Sequence, residues 1–153
     1  MRDALGLVGI VTVTVRDSAG RLVWRAEYRN TVTNYARQAI AAWLAGTANA
    51  GQTTAPPPSM TALGTGTGTP APTDTALWAE AAGTRKTCAF VQTYQTYYAE
   101  WSTQYLTTDP AGTFTEAGLL DANGNLWAHV SMSVSKTSSQ TLTLDWKFYI
   151  QGN

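Results

Sequence analysis

The chain has 153 residues, with 10 Lys and Arg against 10 Asp and Glu, so its formal charge is zero and no net field attracts nucleic acid or an acidic membrane. Charged residues make up only 13% of the sequence and hydrophobic residues 44%, with six Trp and seven Tyr. Because near-zero charge promotes association, this composition predicts a subunit that works packed against copies of itself or a partner.

The lone cysteine and the longest apolar runs exclude further classes. Cys88 permits neither an internal disulfide nor a cysteine-rich zinc site, and we expect a half-buried, unreactive thiol. The apolar run 4–11 is too short to span a bilayer and continues into the alternating residues 12–15. We therefore predict a strand rather than a signal peptide, in a soluble protein that is not inserted in a membrane.

Two strands and a turn open the chain. Residues 8–15 alternate β-branched side chains between two faces, and residues 22–28 alternate apolar with polar side chains. Residues 17–20 between them have the composition of a turn. The segment predicts a β-hairpin.

The spacing of the apolar residues changes after Asn30. Positions i, i+4, i+7 and i+8 now carry apolar residues, namely Ala36, Ile40, Trp43 and Leu44. This stripe predicts one amphipathic helix at about 33–45, with Thr33 or Asn34 as its N-cap and Gly46 at its end.

Residues 45–75 form a long excursion dominated by Gly, Ala, Thr and Pro. Such residues bury little apolar area, so we expect irregular structure, interrupted by a short strand at 60–63. Asp74 is placed to cap a single helical turn over 75–80. The flanking pieces are each too small for an independent core, so the whole chain, 1–153, is predicted to be a single domain.

The remaining segments have strand composition. Residues 87–94 and 96–106 are rich in Thr and aromatic residues; helical spacing also fits their rings, and the composition favours strands. An Asn-Gly turn separates the alternating runs 113–120 and 126–134, and residues 142–150 have one apolar and one polar face. We predict a mainly β fold, an antiparallel β-sandwich of jelly-roll type or a small barrel, with one helix.

No constellation in the sequence specifies catalysis. His129 is the one side chain that ordinarily titrates near neutrality; it lies on the strand face of Trp127 and Ser131, and no nucleophile elbow accompanies it. We expect a structural or surface histidine, and we expect most of the carboxylates to be solvated or capping. The Gly64–Gly68 run lacks the lysine and the helix of a phosphate loop. We predict no catalytic, cofactor-binding or metal-binding residues and no cofactor.

Aromatic residues mark the candidate interface. The ring cluster fits a sugar-stacking platform or core plus a subunit contact, and we favour the contact because no polar sugar-gripping motif accompanies it. The predicted interface residues are Tyr94, Tyr97, Tyr98, Trp101, Tyr105, Pro56, Pro57, Pro58 and Trp78. The arginines of the first hairpin are interleaved with acidic residues, so we expect no nucleic-acid partner.

Three segments resemble small structural proteins of tailed bacteriophages. They are NTVTNYAR at 30–37, LGTGTGTPAPTDTAL at 63–77 and FTEAGLLDANGNLWA at 114–128. The last is similar to a stretch of tail-collar and tail-fibre attachment domains. Fibre attachment domains usually head a longer chain, whereas this sequence ends at Asn153, which favours a short tail or collar adaptor or a capsid decoration protein.

The resemblance implies a non-enzymatic virion component, assembled in the host cytoplasm, whose partners are itself and other virion proteins. It supplies no catalytic residue. A tail-associated role is favoured. The alternatives are a capsid decoration protein that stabilises the head and a carbohydrate-binding module that recognises a host-surface glycan; a hydrolase dependent on His129 or a carboxylate is the remaining class.

Overall fold

The computed structural model describes residues 5–46, 55–91 and 97–152. In chain order its elements are β1 (Leu5–Arg16), β2 (Leu22–Val32), α1 (Asn34–Ala45), β3 (Pro58–Gly64), β4 (Lys86–Thr87), β5 (Ala89–Val91), β6 (Tyr98–Tyr105), β7 (Gly112–Asp121), β8 (Leu126–Lys136) and β9 (Thr141–Gly152). Among these described residues no helix is both long enough and apolar enough to cross a bilayer.

The strands form one antiparallel sheet in the order β4-β3-β7-β8-β2-β1-β9-β6-β5. Only Cys88 separates the two outer strands, of which β4 pairs with β3 and β5 pairs with β6. Residues 86–91 therefore connect the two edges of the sheet, which curls into a nearly closed barrel. The predicted mainly β, antiparallel fold with one helix is confirmed in its barrel-like form.

The barrel interior is built from alternate residues of long strands. Val11, Val13 and Val15 of β1 are at most 1% exposed, while the residues between them are partly exposed. The register of β1 and β9 sets Val11 opposite Trp146 and Val13 opposite Leu144, so the same alternation fills the core from both strands. The predicted first hairpin and the two-faced final strand are both confirmed.

The helix lies where it was predicted, but its buried face differs from the predicted stripe. Thr33 caps the start by accepting a hydrogen bond from the Ala36 amide, and Gly46 ends the helix with φ 64°. The buried positions are Ala36, Ala39 and Ala42, because small side chains let the helix approach the barrel closely. The larger side chains, Ile40, Trp43 and Leu44, consequently lie beside that contact and are partly or largely exposed.

The excursion is more ordered than its composition predicts. The expected short strand is β3, which pairs with β7 inside the sheet. The predicted helical turn over 75–80 is wrong: Asp74 instead closes a turn with Ala71, and Glu80 forms an isolated bridge with Gly64. Residues 47–54 and the predicted interface residue Tyr94 lie outside the described residues.

The aromatic segment whose ring spacing fits both a helix and a strand forms a strand. Residues 98–105 form β6, paired with β9 along its whole length. Trp101 and Tyr105 point into the core and are 7% and 0% exposed. A strand places such residues four apart on one face, as a helix would, which is why spacing alone did not distinguish the two structures.

The barrel has two distinct ends. The turns at 17–21, 106–111 and 137–140 form one, which we call the hairpin end. Helix α1, residues 55–57 and the 122–125 turn form the other, which we call the helix end. The two ends differ in the side chains that they present. A buried group of ionisable side chains lies on the barrel wall between them.

Candidate functional site

Three ionisable side chains meet on the outer face of the barrel, beneath the excursion. His129 of β8 contacts Glu116 of β7 through Nε2 at 2.8 Å and Asp74 of the excursion through Nδ1 at 2.7 Å. His129 and Glu116 are fully buried, and the side chain of Asp74 is 17% exposed. We call these three residues the ionic cluster.

The side chain of Glu116 binds backbone amides of the excursion and of the segment that follows it. One carboxylate oxygen accepts hydrogen bonds from the amides of Gly66 and Ala79, and the other accepts one from Trp78. Burial raises the pKa of Glu116, but these amides and His129 outweigh that cost and hold the pKa below its ordinary value. The carboxylate therefore fixes Gly66 of the excursion and the following segment 78–79 to β7.

Both ring nitrogens of the imidazole are engaged. Each ring nitrogen of His129 lies within hydrogen-bond distance of a carboxylate oxygen. The Trp78 ring covers the imidazole with a centroid separation of 4.4 Å. The cluster thus joins excursion to sheet while its central ring is closed to solvent.

One sequence expectation about this strand is wrong. Trp127 was placed on the same face as His129, but the pairing of β7 and β8 is irregular between Leu119 and Leu120. This bulge turns Trp127 into the interior, where it packs with Trp43 at a centroid separation of 5.3 Å. Glu116, which is 0% exposed, is an exception to the expectation that most carboxylates are solvated or capping, whereas the equally buried Asp121 fits the capping alternative because it accepts the amides of Asn123 and Asn125.

Asp121 ties the helix to the β7–β8 turn. Its carboxylate accepts hydrogen bonds from the Tyr35 hydroxyl at 2.8 Å and from the Asn123 and Asn125 amides. Burial and the contact with Asp121 raise the pKa of Tyr35 to about 12, so the phenol remains a donor. This group positions α1 across the helix end.

The hairpin end is held by polar groups. Lys86 donates to the Asp109 carboxylate at 2.6 Å, and the almost fully buried Lys136 donates to the backbone oxygen of Asp109 at 3.1 Å. Burial tends to raise the pKa of Asp109, but the Lys86 hydrogen bond and the Leu106 amide lower it below its ordinary value. The donors and acceptors at this end therefore satisfy one another.

The helix end contains an apolar cavity of about 730 Å³. Its lining among the described residues comes from α1, β1, β3, β6, β8 and β9 and from Pro57, and it includes Ile40, Leu44, Trp101, Trp127, Phe148 and Ile150. Leu44 and Ile150 at its rim are 79% and 53% exposed. Cavities of this size and apolarity are the usual form of a ligand site.

Exposed apolar side chains lie on the strands next to the cavity-lining Trp101. Phe90, Val91 and Tyr97, which we call the aromatic patch, are 60%, 37% and 83% exposed at the neighbouring ends of β5 and β6. Of the predicted interface residues, Trp101 and Tyr105 belong to the core, and Tyr98 packs on Tyr149 with a centroid separation of 5.2 Å. The others differ in exposure: Pro57 is exposed, Pro56 half-buried, Pro58 buried, and Trp78 37% exposed above His129.

The structure thus defines the class of the molecule as a nine-stranded antiparallel barrel, within the described residues, with one helix across an end. Comparison with models of protein families, with curated proteins and with solved structures finds no match to the chain. In the described part of the chain no three His, Cys, Asp or Glu side chains form a group suited to a metal ion.

Sequence reasoning did not pair the residues of the ionic cluster. Asp74 and Glu116 lie in two of the three segments that carry the phage resemblance, and His129 immediately follows the third segment. Buried ionisable residues need partners, so a lone histidine on an apolar strand was the available signal that carboxylates lie opposite it.

Proposed function

We propose that this chain is a non-enzymatic structural subunit of a phage virion, most consistent with a tail-associated collar, adaptor or fibre-attachment role, and that it assembles through its helix end. The proposal combines the resemblance of the three segments with the distribution of apolar surface. It requires no catalytic residue.

The ionic cluster supports a structural use of the charged side chains. A general acid or base must reach a substrate, whereas His129 is enclosed by Asp74, Glu116 and the Trp78 ring. Its carboxylates are already engaged by backbone amides of the chain itself. These contacts fix a glycine-rich excursion that has little apolar area of its own.

The aromatic patch is the observation that carries the proposal. Phe90 and Tyr97 are large rings left mostly exposed in a chain of zero net charge, and the apolar rim residues Leu44 and Ile150 lie at the same end of the barrel. Exposed aromatic side chains of this kind are enriched in protein interfaces. The excursion contributes less than composition implied, because residues 58–64 lie in the sheet and Glu116 holds Gly66, Trp78 and Ala79 to it.

Sedimentation equilibrium of the purified chain tests assembly. We expect a closed oligomer whose population rises with concentration, and the double variant Phe90→Ser/Tyr97→Ser should shift it towards monomer by at least ten-fold in dissociation constant. The matched control is Leu22→Ser/Val23→Ser, which removes two exposed apolar side chains from the hairpin end. A chain that stays monomeric at the highest accessible concentration contradicts assembly through this surface.

Copy number distinguishes the virion locations. Quantitative mass spectrometry of purified particles should find six, twelve or a small multiple of copies for a tail component and hundreds for a capsid decoration protein. The carbohydrate-binding alternative draws on the 83% exposure of the Tyr97 ring, and a glycan array that shows binding lost in Tyr97→Ser would favour it.

A further inference from the structure

One arginine is shared by the apolar cavity and a neighbouring groove. Arg37 of α1 lines the cavity and also lines a second, more polar groove of about 270 Å³, and Leu7 is common to both. Arg29 of β2 lines the same groove. Neither guanidinium forms an ion pair with the described residues.

The two spaces are chemically complementary to different parts of one ligand. The cavity is lined by Trp101, Trp127 and Phe148 and by aliphatic side chains, with few groups able to hydrogen-bond. A peptide backbone buried there would leave its N–H and C=O groups unsatisfied, which is costly, whereas a hydrocarbon chain has no such groups. Two arginines line the groove, and the planar donor pairs of a guanidinium group match a carboxylate.

We propose that the helix end binds a single-chain amphiphilic carboxylate of the fatty-acid type, with its hydrocarbon tail in the cavity and its carboxylate between Arg37 and Arg29. The cavity volume lies within the range of small-molecule sites. The aromatic patch residues are not part of the lining, so they remain available to a protein partner. The cavity shares its rim residues Leu44 and Ile150 with the proposed assembly surface, so ligand binding is measured on the monomeric chain.

Calorimetric titration with octanoate, decanoate and dodecanoate below their micellar concentrations tests the tail. Each added methylene that enters the cavity should tighten binding by about three- to four-fold. Fluorescence of the lining tryptophans should change in parallel with the heat. Absence of binding by dodecanoate, or an affinity independent of chain length, would overturn the proposal.

Two pairs of variants locate the ligand. Ala41 is an exposed helix residue that lines the cavity, so Ala41→Trp should obstruct it and abolish binding, whereas Ala45→Trp, on the same helix outside the lining, should not. Arg37→Gln should weaken dodecanoate by about ten-fold or more, as expected for a lost charge-assisted hydrogen bond. Arg25→Gln, an equal change of charge outside both spaces, is its control.

Headgroup selectivity completes the test. Dodecyltrimethylammonium should bind at least ten-fold more weakly than dodecanoate, and Arg37→Gln should reduce that preference. Circular dichroism establishes that each variant is folded before titration. Equal binding of the cation and the anion, unchanged in Ala41→Trp, would indicate surfactant adsorption and contradict a built site.

Discussion

The two ends of the barrel differ in how their polar and apolar side chains are arranged. At the hairpin end, Lys86, Lys136 and Asp109 satisfy one another, and the exposed apolar side chains there do not line the cavity. At the helix end, buried alanines bring α1 close while its large side chains surround an apolar cavity. We infer that polar groups which satisfy one another identify a structural end, and that exposed apolar surface beside arginines without an ion pair among the described residues identifies an end built for contact.

The ionic cluster is the region whose loss should cost most. His129→Ala leaves the buried Glu116 and the partly buried Asp74 without their shared partner, and removing one member of a buried ionic group typically costs about 3–5 kcal/mol. Urea denaturation measures the change in the free energy of unfolding. The control is Glu80→Ala, which breaks the more exposed pair with Arg85 and should cost about 1 kcal/mol or less. Equal losses in the two variants would contradict a structural role for the cluster.

Cys88 lies in the segment 86–91, which connects the two edges of the sheet, so the reactivity of its thiol reports whether that segment stays in place. Burial raises the pKa of its thiol to about 11 from an ordinary 9.0. At pH 8 the folded chain should therefore hold about 100-fold less thiolate than the unfolded chain, and disulfide-exchange labelling should slow at least in proportion. Labelling in denaturant is the control. A folded chain that reacts as fast as the unfolded one would show that residues 86–91 do not stay closed.

Asp109 should give the hairpin end a moderate, pH-dependent contribution. Asp109→Asn removes the Lys86 partner and should cost about 1–2 kcal/mol at pH 7. Because the folded pKa of Asp109 lies below its ordinary 3.8, the wild type gains this stability above that value and loses it as pH falls through the folded pKa. The gap between wild type and variant should therefore vanish in acid. A gap that persists unchanged at pH 2 would assign the effect to packing instead of charge.

The aromatic patch should contribute least to folding. Phe90→Ser/Tyr97→Ser removes mostly exposed side chains, so the free energy of unfolding of the monomer should change by no more than about 0.5 kcal/mol per site. Denaturation at a concentration below the association range measures it. A loss above about 2 kcal/mol would show that these rings stabilise the folded monomer, and would contradict their assignment to a surface reserved for association.

The sequence predicts local structure well and contacts between distant segments poorly. Alternation in β1 and β9, the Thr33 and Gly46 caps and the Asn-Gly turn each act within a few residues, so pattern alone locates those elements. The ionic cluster depends on Asp74 meeting His129 across 55 positions of sequence. The predicted helix face is correct for Ala36 and wrong for Trp43 and Leu44, because close approach to the barrel favours alanine over the larger apolar residues.

Hydroxyl-radical footprinting of the chain at concentrations below and within the assembly range tests the central claim most directly, because it reports which end is covered. We predict that assembly protects Phe90, Tyr97 and Leu44 at the helix end and leaves Leu22, Val23 and Leu106 at the hairpin end as reactive as in the monomer. Protection confined to the hairpin end, or equal at both ends, would contradict the account.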